Sequence, residues 1–457
     1  MKKLAILKRF AAMLMISSLT VVALGACSSG DSGGAASTGG AEASQAAQEA
    51  STAAEAPAET TTEAPADAAP STLDGDPVKI GVATIHSGET WEIQRQYFEE
   101  ELAPLFNMEF MFSETLSDAN GLVDFMDQAY AAGCEGIINF VTASDASSQG
   151  ARKAEEWGMW FVTQNSALNA DIEDLQYNLG HCGASAPGIG DAYSKAFEDL
   201  LSDGEPHGVI IFSCAAVGGK IGQGAASHAY AVEGILQAYQ DAYGLTYDMS
   251  IDDIINRQDP GEVNTGNDDV HIYIYPGMDA QAAITAVQTQ LQTGNYDTFA
   301  AVAWYSQFTN AIDEIEKSTG NNIRIIGTAS IEQQTETGFN STDSTGDTVL
   351  NAAVINPLNN ANAMNTLAIF NALNGKPDSF KRGGKAQLFG VNPWACMDAS
   401  TYEGIGKLDM NHATYVLNSD DLAPYMVTNN PDVTADDIDQ LLTDLADIDS
   451  IISNKIQ

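Results

Sequence analysis

The side chains of this 457-residue chain that could do chemistry are five cysteines, six histidines and a large surplus of carboxylates. Cys134, Cys182, Cys214 and Cys396 lie far apart, with no C-x-x-C pair and no Cys/His spacing of the kind that holds a metal. Four thiols allow up to two disulfides, but a core of this size needs no staples, so buried free thiols are the default expectation. There is no G-x-S-x-G elbow, no H-E-x-x-H helix and no EF-hand loop, so neither a hydrolase nor a metal site is signalled. Gly218-Gly219-Lys220-Ile221 has glycines and a lysine as a phosphate loop does, yet no Ser or Thr follows the lysine and the glycine spacing is wrong. Asp/Glu pairs are too common in so acidic a chain to nominate a glycosidase dyad. The polar segment Asp252–Asp269, with Pro260-Gly261, reads as an insertion loop and gives calcium poor support. No catalytic residue, cofactor or metal is therefore expected, and the chemistry left to look for is reversible binding.

The fifth thiol stands apart. Leu24-Gly25-Ala26-Cys27 closes a basic start (Lys2, Lys3, Lys8, Arg9) and an apolar stretch from Phe10 to Leu24, the layout of a secretory signal rather than a membrane span. These four residues resemble the lipobox of bacterial lipoproteins, in which the thiol takes a diacylglyceryl group and becomes the mature N-terminus. The alternative is an ordinary signal peptide that happens to contain a cysteine. Residues 1–26 are thus expected to be a signal peptide, with Cys27 the lipidated residue. From 27 to 75 the chain is almost entirely Ala, Ser, Gly, Thr, Glu and Pro, and no aromatic occurs between Cys27 and Trp91. Such a stretch cannot bury enough apolar surface to offset the entropy of ordering, so a disordered acidic tether is expected. A lipid, a spacer and a globular remainder imply an extracytoplasmic protein held to the cell membrane.

Charge narrows the partners. The chain has 19 Lys+Arg against 62 Asp+Glu, and removing the first 26 residues takes away four of the bases and none of the acids. A basic footprint for nucleic acid is excluded, and so is electrostatic adhesion to anionic lipid. So much acid reads as a solvated, self-repelling surface, and a monomer is expected.

The globular part alternates strand and helix patterns. Lys79–Ile85, Met108–Phe112, Gly136–Val141 and Met159–Thr163 are short apolar runs, separated by helical stretches at Trp91–Phe106, Gly121–Ala132 and Ser148–Trp157. The pattern then restarts with strands at Gly208–Ser213, His271–Tyr275, Thr298–Trp304 and Ile323–Gly327 around helices at His228–Tyr243 and Asp279–Leu291. Val349–Ile355 adds a strand, Asn359–Leu373 a helix and Ala413–Leu417 a late strand, before an acidic tail that reads as mostly helical. Short apolar strands joined by helices predict parallel sheets covered on both faces, and two successive blocks of similar size predict two lobes built alike.

With the segments KIGVATI plus Trp91, EGIINFVTASDAS and AAVINPLNNANAMNTLAIFNALNGK in view, the chain resembles the periplasmic sugar-binding proteins of the ribose type, the substrate-binding subunits of ABC importers. The resemblance spans about Val78 to Asn418. It implies the type I periplasmic-binding-protein fold: two doubly wound, Rossmann-like parallel-sheet α/β lobes joined by a three-strand hinge. On that pattern residues 76–182 and 357–412 form the N-terminal lobe, 183–356 and 413–420 the C-terminal lobe, and 421–457 the tail. The crossings fall near Gly180–Ala184, Asn356-Pro357 and Asn411–Thr414.

The resemblance also implies where a ligand is held, at the carboxyl ends of the strands. In the first lobe it points to His86, Trp91, Ser144 and Asp145. Gln164 and Asn165 stand where relatives carry an Asp-Arg pair, so the bidentate grip on a reducing pentose is missing and neutral amides replace it. In the second lobe it points to His228 and Tyr230, to Met278, to the adjacent Trp304 and Tyr305 with Gln307, to Ser330 and to Asn356. Aromatics stack on the apolar faces of a sugar while amides serve its hydroxyls.

The expected function is capture of a small solute, a sugar favoured, for an ABC permease in the membrane. A sensory receptor of the same build, coupled to a membrane kinase, is the alternative, and an anchored enzyme is disfavoured for want of a nucleophile or metal constellation.

Overall fold

The computed structural model describes residues 75–143, 145–164, 170–216, 219–221, 226–277, 279–410 and 414–456. Fourteen strands are found among them: β1 (Val78–Ala83), β2 (Met108–Phe112), β3 (Cys134–Asn139), β4 (Trp160–Thr163), β5 (Asn178–Ala184), β6 (Val209–Ser213), β7 (Gly261–Val263), β8 (Ile272–Pro276), β9 (Thr298–Ala301), β10 (Arg324–Ala329), β11 (Ala352–Ile355), β12 (Lys381–Arg382), β13 (Lys385–Val391) and β14 (Trp394–Cys396). They form two seven-stranded sheets, ordered β12-β13-β5-β4-β3-β1-β2 and β14-β11-β10-β9-β6-β8-β7. The central pairings are parallel; β12, β7 and β14 join antiparallel.

Each sheet is buried on both faces because alternate residues of its strands meet different helices. Ile137 packs with Leu122, Phe125 and Met126 of the helix Ala119–Ala131. Its neighbour Ile138 faces the opposite cluster, with Met364 and Leu367 of the helix Leu358–Leu373. In the second sheet Ile211 joins Tyr193, Val232 and Ile235, while Ile210 and Phe212 join Val287, Leu291 and Ile312. This is why the strands read as unbroken apolar runs.

The chain passes from the first sheet to the second after β5, where Ser185 caps the helix Ala186–Leu200 by accepting from the Gly188 N–H at 3.1 Å. It returns through Asn356-Pro357, between β11 and the helix Leu358–Leu373, which packs on β3, β4 and β5. The third crossing is at Asn392-Pro393; the crossing expected near Asn411–Thr414 falls largely outside the described residues. β13 lies parallel to β5 in the first sheet, whereas β14 lies antiparallel to β11 in the second. Gly180 makes the first of these pairings feasible: its φ is 104°, and a Cβ there would sit 2.1 Å from the Gln387 carbonyl oxygen. The first and third crossings touch, since the Ser185 N–H donates to the Val391 carbonyl at 2.8 Å.

After β14 the helix Ala399–Asp409 packs against the second-lobe helix Gln333–Asn340. From Thr414 the chain lies against the first lobe instead, so the departures from the expected lobe assignment are confined to the part of 357–412 from β14 onward and to 414–420. Tyr97 donates its hydroxyl to the Leu417 carbonyl at 2.5 Å, and its ring lies 4.6 Å from that of Tyr415. The late strand expected over Ala413–Leu417 is not found among the described residues: Thr414–Leu417 is a loop whose Tyr415, Val416 and Leu417 are buried, and Ala413 is outside the described residues. The tail is helical at Ser419–Leu422, Ala435–Asp444 and Ile448–Lys455. It is fastened through Trp394 Nε1 to the Leu445 carbonyl at 2.8 Å and by Arg382 to Asp436 at 3.0 Å. Cys134, Cys182, Cys214 and Cys396 are buried and free, and burial pushes their thiol pKa values up, that of Cys214 to about 11.

Candidate functional site

The carboxyl ends of both parallel sheets carry the side chains of interest. His86 follows β1, Asp145 follows β3 and Gln164 follows β4; His228 is packed behind the end of β6, Trp304 to Gln307 follow β9, Ser330 follows β10 and Asn356 follows β11. Ser144, Asn165 and Met278 are outside the described residues.

In the first lobe His86 is locked by its surroundings. Its Nδ1 accepts from Gln94 Nε2 at 2.8 Å, so the ring proton is on Nε2, and its ring meets Phe140 edge-on at 5.6 Å. Burial lowers its pKa, outweighing the Gln94 contact that raises it. Gln94 in turn donates to the Thr90 carbonyl at 3.0 Å and accepts from Asn362 Nδ2 at 3.4 Å. Trp91 is 9% exposed, wedged against Phe112 at 5.5 Å and Phe140 at 6.4 Å. Both contacts are edge-on, so the indole packs in the core of the lobe. Asp145 is exposed and accepts from Gln149 Nε2 at 2.5 Å at the start of its helix. Gln164 presents a different picture: its main chain continues the sheet through the Asn139 carbonyl, while its Nε2 is buried without a partner.

In the second lobe His228 Nδ1 accepts from the Cys214 N–H at 3.3 Å, and burial lowers its pKa to about 4. Tyr230 lies 5.5 Å from the Lys220 ammonium, which is itself paired with Glu233 at 2.5 Å and Asp252 at 3.0 Å. Tyr305 is 4% exposed and fills the space above Gly327, whose Cβ position would be 2.7 Å from the tyrosine Cβ. Trp304 is half-buried, 6.4 Å from Phe212, and adopts φ 50°, a left-handed conformation that a side chain disfavours. Gln307 is exposed. The Ser330 carbonyl faces the Tyr402 hydroxyl at 3.5 Å, and Asn356 Oδ1 is buried without a partner.

Two contacts join the lobes at this edge. Thr90 Oγ1 donates to Glu332 Oε2 at 2.5 Å, and the Gln333 N–H donates to Glu89 Oε2 at 3.1 Å. Sequence reasoning missed Thr90, Gln94, Glu332 and Tyr275. Tyr275, which sits 6.2 Å from Phe212 at the end of β8, was readable as the last aromatic of HIYIY. Gln94 was not, because a lone amide inside a helix carries no pattern.

The arrangement is chemically plain. Burial holds both histidines neutral, and an amide donor at Gln164 and an amide acceptor at Asn356 are desolvated and unsatisfied. Such groups hold neutral hydroxyls or amides and repel nothing by charge.

No family model matches the chain, and no curated protein sequence matches it. Solved structures do. An ABC transporter periplasmic solute-binding protein from Actinobacillus succinogenes, with bound D-allose, aligns at 14% identity over 71% of this chain and 99% of its own, with a TM-score of 0.50. A 5-methylthioribose transporter solute-binding protein from Thermotoga lettingae aligns at 12% identity over 82% and 99%, with a TM-score of 0.49. The class is thereby defined by architecture: two parallel-sheet lobes between which the chain passes repeatedly, the fold of the type I periplasmic binding proteins.

Proposed function

We propose that this chain is a lipid-anchored extracytoplasmic substrate-binding protein that captures a small neutral solute, a sugar or related polyol, and presents it to an ABC permease. The observation that carries the reading is the buried, unpartnered amide nitrogen at the end of β4, Gln164 Nε2. A buried polar atom without a partner costs free energy unless a ligand or water satisfies it. A solute hydroxyl can accept from this amide. The neutral histidines of the two lobes favour an uncharged guest over an anion, and the half-buried Trp304 offers a face for an apolar ring side.

Function on this reading is capture and closure without chemistry. The solute engages one lobe, the lobes close about the crossings, and the closed form is what the permease recognises. The sequence Leu24-Gly25-Ala26-Cys27 supports anchoring by lipid on the Cys27 thiol. Among the described residues no helix is long and apolar enough to cross a membrane.

A thermal-shift screen of the chain from Ser28 onward against sugars, polyols, nucleosides and amino acids tests the reading, since a bound solute raises the melting temperature by mass action. Stabilisation by a neutral sugar or polyol is expected. Stabilisation by charged amino acids alone would overturn the solute class. Cys27→Ser is expected to release the protein from the membrane fraction.

A further inference from the structure

The second crossing carries a feature that the solute reading does not use. A cavity of about 10 Å³ lies where Thr90 and Gln94 of the first-lobe helix meet Asn356, Asn359 and Asp409. It has room for one water-sized occupant. Asp409 is fully buried; its Oδ1 accepts from the Val416 N–H at 3.1 Å, and its Oδ2 has no hydrogen-bond partner. Asn359, only 4% exposed, keeps its amide beside the Asp409 carboxyl and leaves its own Oδ1 unpartnered. Asn356 Oδ1, also buried, is the third such acceptor.

Three unpartnered acceptor atoms on the residues of one small space call for a donor or a positive occupant, and the buried carboxyl, met only by the Val416 N–H, the Asn359 amide and a more distant Lys455, calls for it most. The nearest ammonium cannot serve: Lys455 Nζ is committed to Asp421 and to the Tyr415 carbonyl. We propose that this cavity binds a single small monovalent cation of the sodium kind, held by Asp409 Oδ2 together with the side-chain oxygens of Asn356 and Asn359. All the donors are hard oxygens, which suit an alkali cation rather than a thiophilic metal. One carboxylate matches one positive charge, whereas calcium sites gather several. The ligands come from the crossing itself, from the start of the helix Leu358–Leu373 and from the end of the helix Ala399–Asp409. A cation there ties together the elements about which the lobes close.

The test is a set of thermal melts of the full chain without solute, at mildly alkaline pH, in lithium, sodium, potassium or choline chloride at equal ionic strength. A saturable rise in melting temperature with sodium over choline is expected, and Asp409→Asn is expected to lack it. Asn359→Ala, which frees the carboxyl from its amide, is expected to weaken the apparent cation affinity roughly 10–100-fold. Should Asp409→Asn fail to fold, broadening of the sodium NMR line by the wild-type chain, reversed by added lithium or potassium, gives the same reading. Identical melts in all four salts, the result if a single water fills the cavity, would overturn the proposal. So would an increment that survives in Asp409→Asn. No solute is present, so failure here leaves the solute-binding reading untouched, and failure of that reading leaves the ion-dependent melts as they are.

Discussion

Thr90 and Glu332, 242 residues apart, are joined across the two lobes by a 2.5 Å hydrogen bond from the threonine hydroxyl to the glutamate carboxylate. Glu332 is itself fixed, because the Tyr402 hydroxyl both accepts from its N–H at 2.9 Å and donates to its carbonyl at 2.8 Å. The contact sits on the loop after β10 and the helix after β1, the two segments that must approach when the lobes close. On the proposed reading of capture and closure, it favours the closed arrangement over the open one.

Thr90→Val keeps the shape of the side chain and removes the donor. A half-buried hydrogen bond to a carboxylate contributes about 1 kcal/mol net, so solute affinity is expected to fall roughly fivefold. Thr90→Ser is expected to retain most of the affinity. Isothermal titration with the solute found by the screen decides the matter: equal losses in Val and Ser would show that the hydroxyl is not what holds the lobes together.

Gln164 separates a binding role from a structural one. Its Nε2 is buried and unpartnered, so Gln164→Leu removes an unsatisfied polar group and is expected to leave the melting temperature unchanged or raised. The same variant is expected to bind solute at least tenfold more weakly, because a desolvated hydroxyl on the solute loses its partner. A fall in melting temperature with unchanged affinity would place Gln164 in the scaffold.

Much of this architecture could be read from the residues. The strands of both sheets are legible because each is buried on two faces, so that runs such as Val209–Ser213 need no alternation to be recognised. β5 was harder: Asn178–Ala184 contains two glycines, an asparagine and a histidine, and only its pairing with β13 explains why. β13 itself, Lys385–Val391, has exposed and buried residues mixed, as befits a strand near the edge, and this hid the third crossing. Among the site residues, position at a strand end was readable but facing was not. Trp91 and Trp304 both follow strands, yet one indole is packed in the core and the other is half-buried at the loop. The helix Leu358–Leu373 hides Asn359, Asn360, Asn362, Asn365 and Asn371 because it is covered on all sides, and no periodic pattern distinguishes a buried polar side from an exposed one.

Trp304 gives a prediction from backbone alone. Its φ of 50° costs a side-chain-bearing residue roughly 1 kcal/mol, a cost that glycine escapes. Trp304→Gly is therefore expected to be more stable than Trp304→Ala, the reverse of the usual order in regular structure. Both are expected to bind solute more weakly than the wild type if the indole face is used. Denaturant unfolding of the two variants tests the first statement, and Ala more stable than Gly would contradict the left-handed assignment.

Two buried carboxyls set the pH dependence. Burial raises the Asp409 pKa from its ordinary value of 3.8 to about 6, against the pull of the Val416 N–H, the Asn359 amide and the more distant Lys455. Tyr97 and Tyr415 face it from the first-lobe side and remain neutral throughout this range, their own pKa values being raised by burial. Burial likewise raises Glu316 from 4.5 to about 7, opposed by the Ile323 N–H and reinforced by Asp343, Asp313 and Asp347. Each carboxyl holds its proton more tightly folded than unfolded, so stability is greatest when both are protonated and falls as pH rises. In choline buffer, both groups lower stability between about pH 4 and 6, and Glu316 alone continues to do so up to about pH 7. Asp409→Asn is expected to flatten the lower part of that slope and Glu316→Gln the upper part. Relief of the chain's large negative charge by acid acts in the same direction, so each variant is compared with the wild type at every pH. A wild-type slope that survives intact in both variants would show that general charge repulsion, and not these two carboxyls, governs it.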